Sequence, residues 1–118
     1  MTTGKAQELR AARWLEQRGL VVIERNYRCR LGEIDLICRD ASMLVFVEVR
    51  FRSNPYYASA SASITTSKQR RLLATARHYL QRYGAANQSA CRFDVLAIDR
   101  TPGTNEDKIQ WLRNAIGS

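Results

Sequence analysis

Two acidic residues, Asp35 and Glu48, stand where they could hold a divalent cation between them. Each lies in a segment whose apolar residues alternate with polar ones, residues 33–39 and 44–52. This alternation is typical of β-strands with one buried face. The short segment between them, Asp40-Ala41-Ser42, favours a hairpin turn. The relative position of the two carboxylates then depends on how the two strands pair.

The register of the hairpin follows from its apolar residues, because a slip of one residue would turn one apolar face towards solvent. The register that makes the two apolar faces coincide sets Ile34 opposite Val49, Leu36 opposite Val47 and Cys38 opposite Val45. On the other face, the same register sets Asp35 opposite Glu48 and Glu33 opposite Arg50. The packing of the core therefore predicts that two carboxylates meet.

Two opposed carboxylates need compensation, since charges about 5 Å apart repel by roughly 3 kcal/mol at an effective dielectric near 20. A proton, the neighbouring Arg50, or a Mg²⁺ or Mn²⁺ ion with its preference for oxygen ligands could supply it. The alternative is a cross-strand lattice in which Glu33 and Glu48 pair with Arg50 and Arg52. The hairpin by itself leaves both interpretations open.

The remaining elements predict one domain, residues 1–118, of class α/β, with a central mixed β-sheet flanked by helices. Thr2-Thr3-Gly4 could cap a helix that runs to about Arg18, and Ser67 could cap a second helix. Residues 53–66 look like an irregular connection, either a solvent loop or a flap over a ligand. The predicted elements are a helix to residue 18, strands 20–27, 33–39 and 44–52, a helix 67–83, a strand 92–99 and an edge strand 108–112.

The charge of the chain favours a polyanionic partner. It has 19 Lys and Arg against 11 Asp and Glu, a net charge of +8, and most of the positive residues are arginine. Arginine makes planar, bidentate contacts with phosphate. Nucleic acid is the first partner that we expect, and an anionic membrane surface is the second. The plainest explanation is that the charge serves only to keep the protein soluble. Residues 1–10 lack the apolar core of a signal peptide and no apolar run approaches membrane-spanning length, so we expect a cytoplasmic protein without a membrane span.

Four motifs carry a resemblance to a known family: Gly32-Glu33-Ile34-Asp35-Leu36-Ile37, Val45-Phe46-Val47-Glu48-Val49-Arg50-Phe51-Arg52, Ser67-Lys68-Gln69 and Cys91-Arg92-Phe93-Asp94-Val95. Together they resemble the YraN family of small bacterial proteins. That family is similar to archaeal Holliday-junction resolvases and to the restriction-endonuclease-like PD-(D/E)xK superfamily. The resemblance implies a restriction-endonuclease-like fold and a Mg²⁺- or Mn²⁺-dependent endonuclease that acts on DNA, including branched or processed intermediates.

The resemblance also implies roles for individual residues. Metal ligands would be Glu8, Asp35, Glu48 and the Val49 carbonyl; catalytic residues would be Asp35, Glu48, Arg50 and Lys68; and nucleic acid would contact Arg52, Lys68, Arg70 and Arg71. This sequence departs from the pattern at Arg50, where the superfamily has a lysine. Arginine effectively cannot lose its proton, so Arg50 could stabilise charge but could not act as a base. Lys68 would either reach the pocket in its place or stay solvated in the first turn of its helix.

Two other functions stay open on the sequence. The Arg50 departure favours a nucleic-acid-binding module with a degenerate nuclease site. An adaptor that binds proteins through Tyr56, Tyr57 and the adjacent loop is the third interpretation. A homodimer is expected from the resemblance to junction resolvases. Asp94, which alternates with Phe93 and Val95, is expected to be a structural ion-pair partner.

Overall fold

A five-stranded sheet with a helix on each face forms the framework of the described part of the protein. The computed structural model describes residues 3–52, 64–83, 90–101 and 103–116. The elements are α1 (Thr3–Glu16), β1 (Val21–Cys29), β2 (Gly32–Asp40), β3 (Met43–Arg52), α2 (Thr66–Arg82), β4 (Cys91–Arg100) and β5 (Asp107–Leu112). The predicted α/β class with a mixed sheet is confirmed. The expected loop at 53–66, with Tyr56 and Tyr57, lies outside the described residues except for its last three positions.

The sheet is mixed because one crossover joins an antiparallel three-stranded meander, β1 to β3, to the hairpin of β4 and β5. Its order is β1-β2-β3-β4-β5, with β3 and β4 parallel and the other neighbours antiparallel. The parallel pair requires the chain to return across the sheet, and α2 lies on that return. The helix begins at Thr66 and not at Ser67, because the side chain of Thr65 caps it by accepting the Lys68 backbone N–H at 3.2 Å. Neither described helix is long and apolar enough to cross a membrane.

The hairpin of β2 and β3 confirms part of the predicted register. Leu36 pairs with Val47 and Cys38 with Val45, around a turn at residues 41–42. Regular pairing runs from this turn only as far as Leu36–Val47. The backbone pairs predicted beyond it, Ile34–Val49, Asp35–Glu48 and Glu33–Arg50, are wrong. The two strands separate there, and the separation opens space for side chains between them.

The core has two halves, one on each face of the sheet. The half between the sheet and α2 contains Tyr27, Ile34, Ile37 and Phe46 of the strands with Leu72 and Tyr79 of the helix. The half between the sheet and α1 contains Leu36, Cys38, Val45, Val47 and Leu96 of the strands with Leu15 of the helix. The prediction that Ile34 shares a face with Leu36 is therefore wrong. Strand alternation changes at Asp35, opposite the point where Asn26 of β1 has a left-handed φ of +56°. The irregularity lies beside the acidic residues.

Gly32 allows the turn between β1 and β2 to approach α2 closely. A Cβ built on Gly32 would lie 2.8 Å from Oγ1 of Thr75. Thr75 is fully buried, and its hydroxyl donates to the Arg71 carbonyl at 2.8 Å, so it cannot move aside. The absence of a side chain at position 32 thus sets how close α2 lies to the acidic end of β2.

We expect Gly32→Ala to lower the free energy of unfolding by about 2 kcal/mol, since overpacking a filled site costs about 1–3 kcal/mol. Urea unfolding followed by circular dichroism measures the change. The double variant Gly32→Ala/Thr75→Ala removes the clashing hydroxyl and should be more stable than the sum of its single variants predicts. Strict additivity of the two single changes would show that the contact with Thr75 is not what excludes a side chain from position 32.

Candidate active site

The two predicted carboxylates meet where β2 leaves β3. Asp35 Oδ2 accepts the backbone N–H of Val49 at 2.8 Å, so the side chain takes the place of the missing strand pair. The carboxyl groups of Asp35 and Glu48 lie close enough to interact directly. Burial and the negative charge of Glu48 raise the pKa of Asp35 to about 8, although the Val49 N–H acts in the opposite direction. The predicted meeting is achieved by side chains and not by a backbone pair.

Glu8 of α1 and Glu33 of β2 complete the acidic cluster. One carboxylate oxygen from each of Glu8, Glu33 and Asp35 lies within 4.8 Å of the others. Burial, followed by the charge of Asp35, raises the pKa of Glu8 to about 7, and a hydrogen bond from the Asn26 side chain opposes the shift. Glu8 Oε1 is buried and has no hydrogen-bond partner among the described residues. The cluster therefore includes a buried acceptor oxygen that no described neighbour satisfies.

Three cationic side chains contact the carboxylates at the edges of this cluster. Lys68 Nζ lies 3.3 Å from Glu48 Oε2, and Arg50 Nη1 lies 3.8 Å from the same atom. Glu48 is only 3% exposed, whereas Lys68 is 36% exposed and Arg50 20%. Lys68 therefore reaches the pocket, and the alternative of a fully solvated lysine is wrong. Glu33 pairs with Arg28 of β1 at 2.7 Å.

The acidic cluster opens into two clefts that meet at Asp35, Glu48 and Lys68. The first, of about 470 Å³, lies between the β1–β2 turn and α2, and the second, of about 330 Å³, lies beside α1. The first is lined by Arg28, Cys29, Gly32, Glu33, Asp35, Glu48, Lys68, Arg71 and Leu72, and the second by Gly4, Gln7, Glu8, Asp35, Glu48, Val49, Arg50, Phe51 and Lys68. A ligand in either cleft would contact both Glu48 and Lys68.

Most of the residues predicted for the site are brought together. Glu8, Asp35, Glu48, Val49, Arg50 and Lys68 all line the second cleft, and Arg71 lines the first. Arg52, at the end of β3, and Arg70, exposed on α2, line neither of these two clefts. Sequence reasoning missed Arg28 and Asn26. Arg28 and Glu33 lie at equal distances along the chain on either side of the short turn between the first two strands. This symmetric spacing is the sequence signal for Arg28.

Comparison with known proteins places the chain in a family. The family model described as "Uncharacterised protein family UPF0102" matches residues 7–98. The chain belongs to the UPF0102 family. The matched residues of this UPF0102 member extend from α1 to β4, so they include Glu8, Asp35, Glu48 and Lys68. The expectation of a YraN-type family, based on the sequence motifs, is confirmed.

Bacterial relatives match the UPF0102 member over nearly its whole length. The UPF0102 protein of Nitrosococcus oceani is 51% identical over 113 residues, which cover 96% of this chain and 90% of the relative. That of Ralstonia nicotianae is 52% identical over 119 residues, covering 98% and 86% respectively. That of Nitrosomonas europaea is 50% identical over 113 residues, covering 96% and 92%. The names of these relatives state the family and no activity.

Proposed function

We propose that this UPF0102 protein is a metal-dependent endonuclease that acts on DNA, with a restriction-endonuclease-like site. The observation that carries the proposal is the cluster of Glu8, Asp35 and Glu48 at an open, cation-rimmed cleft, where the pKa values of Glu8 and Asp35 are both raised. Perturbed pKa values cluster at functional sites, because burial and like charges are arranged there to tune acidic, basic and metal-binding groups. The basic composition of the chain supports a polyanionic substrate.

The side chains of the cluster fit a Mg²⁺ or Mn²⁺ ion. Both ions prefer oxygen ligands, and the cluster offers carboxylate oxygens, including the buried Glu8 Oε1 without a hydrogen-bond partner among the described residues. Asp35, Glu48 and the Val49 carbonyl would hold the ion, and Glu8 would add an oxygen from α1. When bound, a divalent cation compensates the carboxylates and polarises a phosphate oxygen as a Lewis acid.

The two cations beside Glu48 supply the remaining electrostatic stabilisation. The Lys68 ammonium lies at the junction of both clefts and is exposed enough to contact a phosphate entering either one. It provides, from α2, the lysine that the superfamily pattern has on the strand at position 50. The Arg50 guanidinium approaches Glu48 from β3, with Nη1 at 3.8 Å from Oε2. Fixed positive groups of this kind stabilise charge that develops on a phosphate during cleavage.

A nucleic-acid-binding module without hydrolysis is the second candidate. Arg50 favours it, because the strand position that carries lysine in the superfamily holds a side chain that effectively cannot lose a proton. The ion pair between Lys68 and Glu48 is compatible with either function, since it would also stabilise the fold around a degenerate site. The two candidates differ in cleavage and not in binding.

The proposal is tested by incubating the protein and Mn²⁺ with labelled DNA in branched, flapped and single-stranded form. We expect cleavage that EDTA abolishes, and we expect Lys68→Gln to reduce its rate about 100-fold, as loss of one stabilising donor typically does. Arg77→Gln is the matched control, because it removes the same charge from an exposed side chain of α2 that lines neither cleft. Its rate should fall less than about threefold.

Each other outcome of this experiment has a definite meaning. Binding of DNA with no cleavage in Mg²⁺ or Mn²⁺ would reject the nuclease and support the binding module. Equal losses of rate in Lys68→Gln and Arg77→Gln would reject the role of Lys68 and leave only a general effect of charge. Absence of DNA binding at low salt would reject both candidates, since both require affinity that falls steeply with salt.

A further inference from the structure

A third cleft extends the site on the side away from α2. It has a volume of about 420 Å³ and is lined by Lys5, Glu8, Arg25 and Asn26. It shares Glu8 with the cleft beside α1, which in turn shares Asp35 with the cleft beside α2. The three clefts therefore follow one another across the molecule, and the acidic cluster lies in the middle of the series. We call this series the groove.

Each end of the groove carries two exposed cationic side chains. At the α2 end these are Arg28, whose side chain is 68% exposed, and Arg71. At the α1 end they are Lys5 and Arg25. Within the described residues, neither Lys5 nor Arg25 has an ion-pair partner; the acidic residue beside them, Glu8, accepts a hydrogen bond from Asn26. The positive charge at the α1 end is thus left available to a ligand.

We propose that the groove binds a nucleic-acid strand that continues on both sides of the acidic cluster, with phosphates held by Arg28 and Arg71 at one end and by Lys5 and Arg25 at the other. This inference rests on the proposed function and specifies its substrate as an internal stretch of strand and not a strand terminus. The acidic cluster repels phosphates, so a strand lying over it must be held from outside. Contacts at one end would be enough for a terminus, whereas an internal linkage has flanking phosphates for both ends.

The position of Asn26 is consistent with a cationic α1 end of the groove, formed by Lys5 and Arg25. Its left-handed backbone interrupts β1 between Arg25 and Tyr27, and Tyr27 is buried while Arg25 is exposed. The interaction of the neutral Asn26 side chain with Glu8 opposes the rise in the pKa of that carboxyl without adding a positive charge. Arg25 remains at the surface of the groove, where it can contact a phosphate.

The test measures binding in EDTA, which separates it from cleavage. The probe is a fluorescein-labelled single-stranded DNA of about 20 nucleotides, longer than the roughly 4–16 nucleotides that such grooves contact. Anisotropy titrations over a range of NaCl concentrations compare two double variants, Lys5→Gln/Arg25→Gln and Arg28→Gln/Arg71→Gln. The control, Arg13→Gln/Arg77→Gln, removes two exposed arginines that line none of the three clefts.

The logarithm of the association constant falls with the logarithm of the NaCl concentration, and each contact with single-stranded DNA contributes roughly 0.7 to the steepness of this slope. Each groove variant loses two contacts, so its slope should be less steep by about 1.4. The control should keep the wild-type slope. A loss confined to one groove variant would overturn the proposal in favour of a site for strand ends, and an equal loss in the control would show that only net charge matters. Failure of the nuclease proposal appears separately, as binding with these slopes but no cleavage in Mn²⁺.

Discussion

Asp35→Asn is expected to stabilise the metal-free protein near pH 9 while it abolishes cleavage in Mn²⁺. The ionised carboxylate of Asp35 lies in a buried site beside Glu48 and so is costly for the fold. Asparagine has the same shape and no charge, and its carbonyl oxygen can still accept the Val49 N–H. The proposed reaction therefore needs a carboxylate that lowers the stability of the fold when no metal is bound.

The pH dependence of this gain follows from the direction of the shift. The pKa of Asp35 is raised from 3.8 to about 8, so its ionisation costs more in the folded protein than in the unfolded chain. The cost is absent below about pH 4, grows as pH rises towards 8 and is complete above 8. The pKa of Glu8, raised to about 7, adds a cost of the same sign. We expect Asp35→Asn to gain on the order of 2 kcal/mol near pH 9 and almost nothing near pH 4.

Denaturant unfolding of both proteins in EDTA, near pH 4 and near pH 9, measures this difference. Mn²⁺ should then stabilise the wild type and leave Asp35→Asn unchanged, because a ligand stabilises only the form that binds it. Glu106→Gln is the control for loss of one negative charge, since Glu106 is exposed and lies outside the acidic cluster. A loss of stability near pH 9 in Asp35→Asn would show that the carboxylate supports the fold, and the case for a metal ion would fail.

Asp94→Ala is expected to lower the free energy of unfolding by about 3–5 kcal/mol, the usual cost of removing one partner from a buried charged pair. Asp94 is fully buried and accepts hydrogen bonds from Arg92 Nε at 3.0 Å, Trp111 Nε1 at 2.9 Å and the Asn114 backbone N–H at 2.8 Å. These bonds join β4 to β5 and to the turn that follows it. Alanine would leave these three partly buried donors without their acceptor.

Thermal and denaturant unfolding measure this loss, and two variants define its cause. Asp94→Asn retains the size and one acceptor oxygen, so it should lose about half as much stability. Asp40→Ala removes the more exposed carboxylate bound by Arg92 at 3.1 Å and should cost less than about 1 kcal/mol. A loss below about 1 kcal/mol in Asp94→Ala would contradict the assignment of this network as a main support of the sheet edge. The expectation of Asp94 as an ion-pair partner is itself confirmed by the contact with Arg92.

The sequence by itself determined the elements, the hairpin and the acidic residues of the site. Alternating apolar residues are a local signal, and they correctly predicted that Leu36 pairs with Val47 and that Asp35 meets Glu48. Family membership also follows from local motifs, around Asp35 and Glu48. These features depend on residues close in the chain, where the spacing of side chains along a strand is regular.

Only the tertiary structure decided how the site is completed. β2 separates from β3 beyond the Leu36–Val47 pair, on the side away from the hairpin turn, and Ile34 changes face there. Both features depend on the neighbouring β1, whose backbone is left-handed at Asn26. The position of Lys68 beside Glu48 depends on where α2 packs, and that packing involves the close approach of Thr75 to Gly32. Alternation within one strand carries no information about contacts with distant elements, since these arise from packing that many positions determine together.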